Sequence, residues 1–233
     1  MPKVEFLRML LHGKSVCEAG GDGVRSFGRY LRGSRGGALV SAIGATVIAV
    51  GAAAAAVVTD NMVPTISTPH LCVKGRVCQT DNKDVTYYMD SSGEFKLEAV
   101  DKSYVTAMLK SEYSPTDLVI KYDATPKFSG SAETDVVWQE GAKGLDDDAE
   151  GMAWCDDPVS GYKCDQQVIR IRGNGNYDPS ITCHEMGHAV GLLHGGSAYP
   201  ALPSEDSRLG CMIAHGYSGD LGSNNVSNIN GTY

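Results

Sequence analysis

The chain reads as an α+β domain behind an amino-terminal apolar segment, and three observations carry that reading. Short β-prone runs share residues 85–172 with a single stretch of helical periodicity, a proline-led helix start comes after them, and residues 36–59 form an uncharged run of mainly Ala, Val, Ile and Gly. That run is long enough to cross a hydrocarbon core as a helix. Arg25, Arg29, Arg32 and Arg35 stand immediately before it and by the positive-inside rule stay cytoplasmic, so the chain beyond residue 60 is exported. The expected organisation is a basic cytoplasmic segment over residues 1–35, a signal peptide or signal-anchor helix over 36–59, a linker over 60–71 and a folded domain over 72–233. Cleavage after the small residues 52–56 would release the domain, and retention would anchor it at the cell surface.

Within the domain, residues 85–89 (Val-Thr-Tyr-Tyr-Met) are β-prone and predict a first strand. Leu97, Val100, Tyr104, Ala107 and Met108 then recur at helical spacing, predicting a helix over 94–110. Residues 118–122 and 135–138 are short β-prone runs, and 167–172 alternates as a strand should. Residues 141–157, rich in Gly and Asp, read as a long surface loop whose Asp146, Asp147 and Asp148 are a candidate structural calcium site, although no EF-type spacing accompanies them. Asp178 and Pro179 supply an N-cap and a first-turn proline for a second helix. About twenty residues come after Met212, enough for a last helix.

Charge and cysteine content agree with export. Residues 57–233 hold 13 Lys+Arg against 25 Asp+Glu, a balance that speaks against a nucleic-acid partner. Of seven cysteines, Cys17 falls on the cytoplasmic side and six on the exported side, an even number in an oxidising compartment. Six cysteines allow fifteen pairings. Spacing suggests Cys72 with Cys78 and Cys155 with Cys164, leaving Cys183 with Cys211. Asn225 and Asn230 each head an N-glycosylation triplet.

The second helix carries His184-Glu185-Met186-Gly187-His188, with Gly191 and His194 after it. Positions four apart share a helix face, so His184 and His188 can offer imidazoles to one ion. Gly191 can end the helix with a positive φ and turn the chain so that His194 completes the set. Three neutral imidazoles leave a fourth tetrahedral position open, which distinguishes a catalytic zinc site from a structural one. Glu185, one residue past the first histidine, is placed to act as a general base without being a ligand.

His184 to His194 resembles the long zinc signature of the metzincin metalloendopeptidases, and residues 210–213 (Gly-Cys-Met-Ile) resemble their Met-turn. Within that superfamily the motif is most similar to the matrixin-like branch, which includes small secreted proteases of actinobacteria. The resemblance implies a mixed twisted sheet, an active-site helix, a Met-turn placing Met212 beneath the histidines, and a C-terminal helix. It implies one catalytic zinc, Glu185 as base, and an edge strand between about residues 135 and 164 that pairs with an extended substrate. The sequence departs from the branch at several points. Gly195 stands where matrixins carry Ser or Thr, Ile213-Ala214-His215 replaces a Pro-containing continuation, and Ala214 occupies the place of the astacin tyrosine ligand. No histidine lies between His70 and His184 to hold a second zinc, and no propeptide cysteine motif is present. By the same resemblance residues 213–217 would wall the pocket for the residue after the scissile bond, with His215 and Tyr217 either bonding substrate or packing the loop, and neither belongs to the catalytic set.

The resulting expectation is an exported, monomeric zinc metalloendopeptidase that acts on extended peptide or protein substrates and meets the membrane only through residues 36–59. A zinc-dependent peptide-binding protein without turnover, and a zinc amidase acting on a non-peptide or cell-wall amide, share the same motif.

Overall fold

The computed structural model describes residues 59–233 apart from residues 68, 174 and 215–217. Residues 1–35, the apolar run up to residue 58, Cys17, His215 and Tyr217 lie outside the described residues. Among the described residues no helix is long and apolar enough to cross a membrane.

The elements are β1 (Gln79–Thr80), β2 (Asp84–Met89), α1 (Ala99–Met108), β3 (Val119–Tyr122), β4 (Val136–Glu140), β5 (Gly151–Pro158), β6 (Lys163–Ile171), α2 (Pro179–Ala189) and α3 (Ser223–Thr232). They make an α+β fold around one mixed sheet of order β1-β6-β4-β2-β3, with β5 also on β6. Every pairing is parallel except that of β5 with β6. β2 alternates, burying Val85, Tyr87 and Met89. β6 lies between neighbours and buries a near-continuous run that includes Val168, Ile169 and Ile171, as an interior strand does. Trp138 of β4, Ile169, Met186, Leu192, Met212 and Ile229 are fully buried and join sheet and helices in one core.

Three expectations change. The helix predicted over 94–110 begins at Ala99 and passes at Leu109 into a wider turn ending at Tyr113; Val100, counted with its apolar face, is 51% exposed. That wider turn carries Tyr113 inward, where its hydroxyl donates to the carbonyl of Cys183 on α2 at 2.7 Å. The expected surface loop over 141–157 is a loop only in its first half. From Gly151 the chain forms β5, because Ala153 and Cys155 alternate inward and offset the polarity of the aspartates after them. The third change concerns the expected linker over 60–71, whose beginning belongs to the fold.

Thr59 donates its backbone N–H to Asn224 Oδ1 at 2.8 Å, Asp60 bridges to Tyr199, and Met62 bridges to Leu192. Asn61 Nδ2 donates to the Leu193 carbonyl at 3.0 Å and to Asn225 Oδ1 at 2.9 Å. Asn225 in turn donates to the carbonyls of Leu209 and Leu221 at 2.6 and 2.7 Å. Asn225 is fully buried, so in the fold it is no glycosylation acceptor, whereas Asn230 is exposed. The main chain at two of the aspartates considered for calcium is tied to the residue directly after β6. Asp146 and Asp147 offer their carbonyls to the Arg172 guanidinium, and among the described residues the acidic group close enough to share an ion is Glu133, Asp157 and Asp165.

Two outcomes are expected. Asn225→Ala leaves several buried partners unsatisfied and should cost about 2–3 kcal/mol in chemical denaturation. Asp101, buried beside Glu140, has its carboxyl pushed up to about 6, first by burial and then by that neighbour. A raised folded pKa contributes stability that is complete below the unfolded pKa and lost as pH rises through 6. Asp101→Asn should therefore be more stable than the parent at pH ~8 and show no such gain at pH ~4 in paired denaturant titrations.

Candidate metal centre

The site is built on α2. Asp178 caps it, its Oδ1 accepting the N–H groups of Ser180 and Ile181 at 2.7 and 3.0 Å, and Pro179 takes the first helical position. The helix ends at Val190, and Gly191 adopts φ 100°, a conformation costly for any residue with a Cβ. A Cβ at Gly191 would also meet the Gln79 Cα at 3.2 Å and Met62 Sδ at 3.0 Å, so β1 and the amino-terminal segment close on this turn. The reversed chain pairs Leu192 with Met62 and delivers His194 to the face that carries His184 and His188.

The three imidazoles converge. His194 Nε2 lies 3.0 Å from His184 Nε2 and 3.1 Å from His188 Nε2. On the far side of each helical ring, His184 Nδ1 is 2.7 Å from the Cys211 carbonyl and His188 Nδ1 is 2.8 Å from the Leu192 carbonyl. A carbonyl can only accept, so both Nδ1 atoms carry the proton and both Nε2 atoms present lone pairs to the shared point. Burial holds both rings below the ordinary imidazole pKa, His188 strongly, which favours the neutral, ligating form. Four ligands at about 2.0–2.1 Å in a tetrahedron stand roughly 3.3 Å apart, close to the separations found. The group can hold a metal ion, and its all-nitrogen donor set suits zinc.

Glu185 is buried, and its Oε2 has no hydrogen-bond partner. Burial alone pushes its carboxyl up to about 8. The carboxyl lies against Gly151 of β5; a Cβ there would fall 2.8 Å from Glu185 Oε1, so only glycine leaves the carboxylate its place. One carboxyl oxygen of Glu185 is thus buried without a hydrogen-bond partner at the border of the depressions that the histidines share.

Met212 is fully buried below α2, and a Cβ on Gly187 would approach its Sδ to 2.2 Å, so the contact depends on glycine. The preceding turn is fixed in two ways. Gly210 has φ 51° and a Cβ there would meet the Leu221 carbonyl oxygen at 2.1 Å, while the Cys183–Cys211 disulfide ties the turn to the helix. Cys72–Cys78 and Cys155–Cys164 are also formed.

Two depressions flank the histidines. The larger, of about 560 Å³, is bordered by Ser180 and Ile181 of α2, by Glu150 and Gly151, and by Ile213 and Ala214. The smaller, about 340 Å³, is bordered by Val77, Met152, Ala153, Leu193 and Ser197. Both reach His184, Glu185 and His194, and β5 borders both. Sequence spacing brings out the three histidines, Glu185, Gly191 and Met212. It gives no sign of Gly151, Tyr113 or Asn61, whose partners lie 34 or more residues away, or of the bond between Asn225 and Asn61 across 164 residues.

Gly210→Ala should lower stability by about 2–4 kcal/mol and weaken any metal binding by the three histidines, because the displaced Cys211 carbonyl no longer orients His184. At Gly196 a Cβ would meet nothing within 4 Å, so Gly196→Ala should change neither. Thermal unfolding and competitive chelator titration of both variants test this.

The sequence matches no protein-family model, and no curated protein matches it.

Proposed function

We propose that the protein is an exported zinc metalloendopeptidase of the metzincin type, most similar to the matrixin-like branch. The observation that carries the reading is the convergence of His184, His188 and His194 beside a buried Glu185 carboxyl with an unpartnered oxygen, on the border of two open depressions. Met212 beneath Gly187 and the terminal helix α3 support the same reading. The three disulfides support folding in an oxidising compartment.

The three histidines would hold the ion. When bound, zinc supplies Lewis acidity, polarising a scissile carbonyl and acidifying a water. Glu185 supplies the acid–base chemistry: a cation held by the adjacent histidines would favour its ionised form, which accepts the proton of the attacking water and returns it to the leaving amine. No covalent acyl-enzyme is required, and no serine or cysteine nucleophile is called upon. β5 supplies position. Among the described residues β6 is the strand it pairs with, so the part of its other edge next to Gly151 can add an extended peptide by main-chain hydrogen bonds. Gly151 and Ala153 are the edge residues nearest Glu185 and the histidines.

Glu185→Ala should retain zinc and lose cleavage of an unfolded protein substrate by at least ~10²-fold, whereas His188→Ala should lose both. Metal analysis and cleavage are measured on the same preparations. Zinc-loaded parent that cleaves neither protein nor peptide would overturn the proposal.

A further inference from the structure

The free edge of β5 does not extend along the whole strand. Next to the site, Glu150 turns its carbonyl toward Arg172, so by alternation Gly151 and Ala153 point their main-chain groups away from β6. At Cys155, the next residue of that row, the outward groups are already taken. Cys155 donates its N–H to the Arg76 carbonyl at 2.8 Å and its carbonyl accepts the Gly75 N–H at 2.8 Å. Two residues facing one is a bulged antiparallel pairing. The segment 75–76 therefore occupies the row that an added strand would enter.

The loop is held there from several directions. The Cys72–Cys78 disulfide closes it, Cys72 donates its N–H to the Gly161 carbonyl at 2.8 Å, and Gln79 donates to the Tyr162 carbonyl at 2.9 Å. Cys78, Cys155 and Cys164 are buried together beneath it. Val77, leaving the row, borders the smaller depression together with Met152 and Ala153. The loop thus ends the groove instead of lying beside it.

We propose that the disulfide-closed loop 72–78 is the end wall of the substrate groove and limits the amino-terminal arm of a bound peptide to about three residues. This rests on the protease reading. A peptide added antiparallel to β5, in the sense the loop itself uses, runs with its amino terminus toward Cys155. Glu185 lies against Gly151, so the bond cut sits at that end of the open row. The residues opposite Gly151, Met152 and Ala153 fit; the next, opposite Trp154, runs into the chain that continues from Arg76, bonded to Cys155, to Val77. The favoured substrates are short amino-terminal tails, or chain segments that bend away within three residues of the cut.

The test is a peptide series with a constant carboxyl-terminal half and one to six residues before the scissile bond. Binding to zinc-loaded Glu185→Ala is read by fluorescence anisotropy, and kcat/KM is read on the parent. Affinity should tighten over the first three residues and change by less than about twofold over the next three. A steady gain through the sixth residue would overturn the wall. Cys72→Ser combined with Cys78→Ser should restore the gain from the fourth residue; a folded double variant that shows none would also count against the loop. Should that variant not fold, the parent series decides. Tight binding that stops improving at three residues, with no cleavage by the parent, would remove the protease reading and leave the wall standing. Cleavage that improves steadily with length would do the reverse.

Discussion

The two hydrogen bonds from histidine Nδ1 atoms to main-chain carbonyls are the constraint on which the rest of the centre depends. An imidazole that donates from Nδ1 must present its Nε2 lone pair, and its plane is set by the acceptor. The acceptors come from outside α2, at Cys211 for His184 and at Leu192 for His188. The geometry of the centre is therefore only as good as the placement of two loops. Each loop is over-determined. Leu192 comes directly after a positive-φ glycine and bridges to Met62, and Cys211 comes after another and is tied covalently to the residue before His184. Tyr113 adds a third tie by donating to the Cys183 carbonyl, joining the end of α1 to the same turn of α2.

The buried asparagines extend that logic away from the histidines. Asn61 reaches the carbonyl of Leu193, the residue before His194, and Asn225 reaches Leu209, just ahead of the Gly210 turn. The two side chains bond each other. One small polar network thus couples the amino-terminal segment, the loop of the third histidine, the turn under the helix and α3. Buried amides satisfied in this way specify one arrangement, since any shift leaves a polar group without a partner.

How much of this is legible in the chain depends on the range of the interactions. His184, Glu185, His188, Gly191 and His194 obey helix period and turn chemistry over eleven residues, so their grouping can be read directly. The Asp178 cap and Pro179 are equally local. β5 is concealed because its aspartates and glycine give it the composition of a loop, and pairing with β6 outweighs that propensity. Asn61 and Asn225 lie 164 residues apart, and no period links them. Gly151 reads as an ordinary loop glycine until Glu185, 34 residues on, is seen to occupy the space a side chain would fill. The apparent linker conceals its packing for a related reason. Only Met62 and Val63 among its packed residues are large and apolar, too few to show a period, and the burial of the polar Asn61 and Thr65 is justified only by partners far along the chain.

The burial of Asn225 has a bearing on how the protein can be made. A glycan would be attached through the same Nδ2 that donates to Leu209 and Leu221, at a side chain with no solvent access. Sugar and native fold are mutually exclusive at this position. In a secretory pathway that glycosylates chains as they emerge, modification competes with the docking of α3, and a chain modified first is barred from closing its core. Production in a host lacking that machinery removes the competition, as does replacing Ser227, which completes the triplet and is itself exposed.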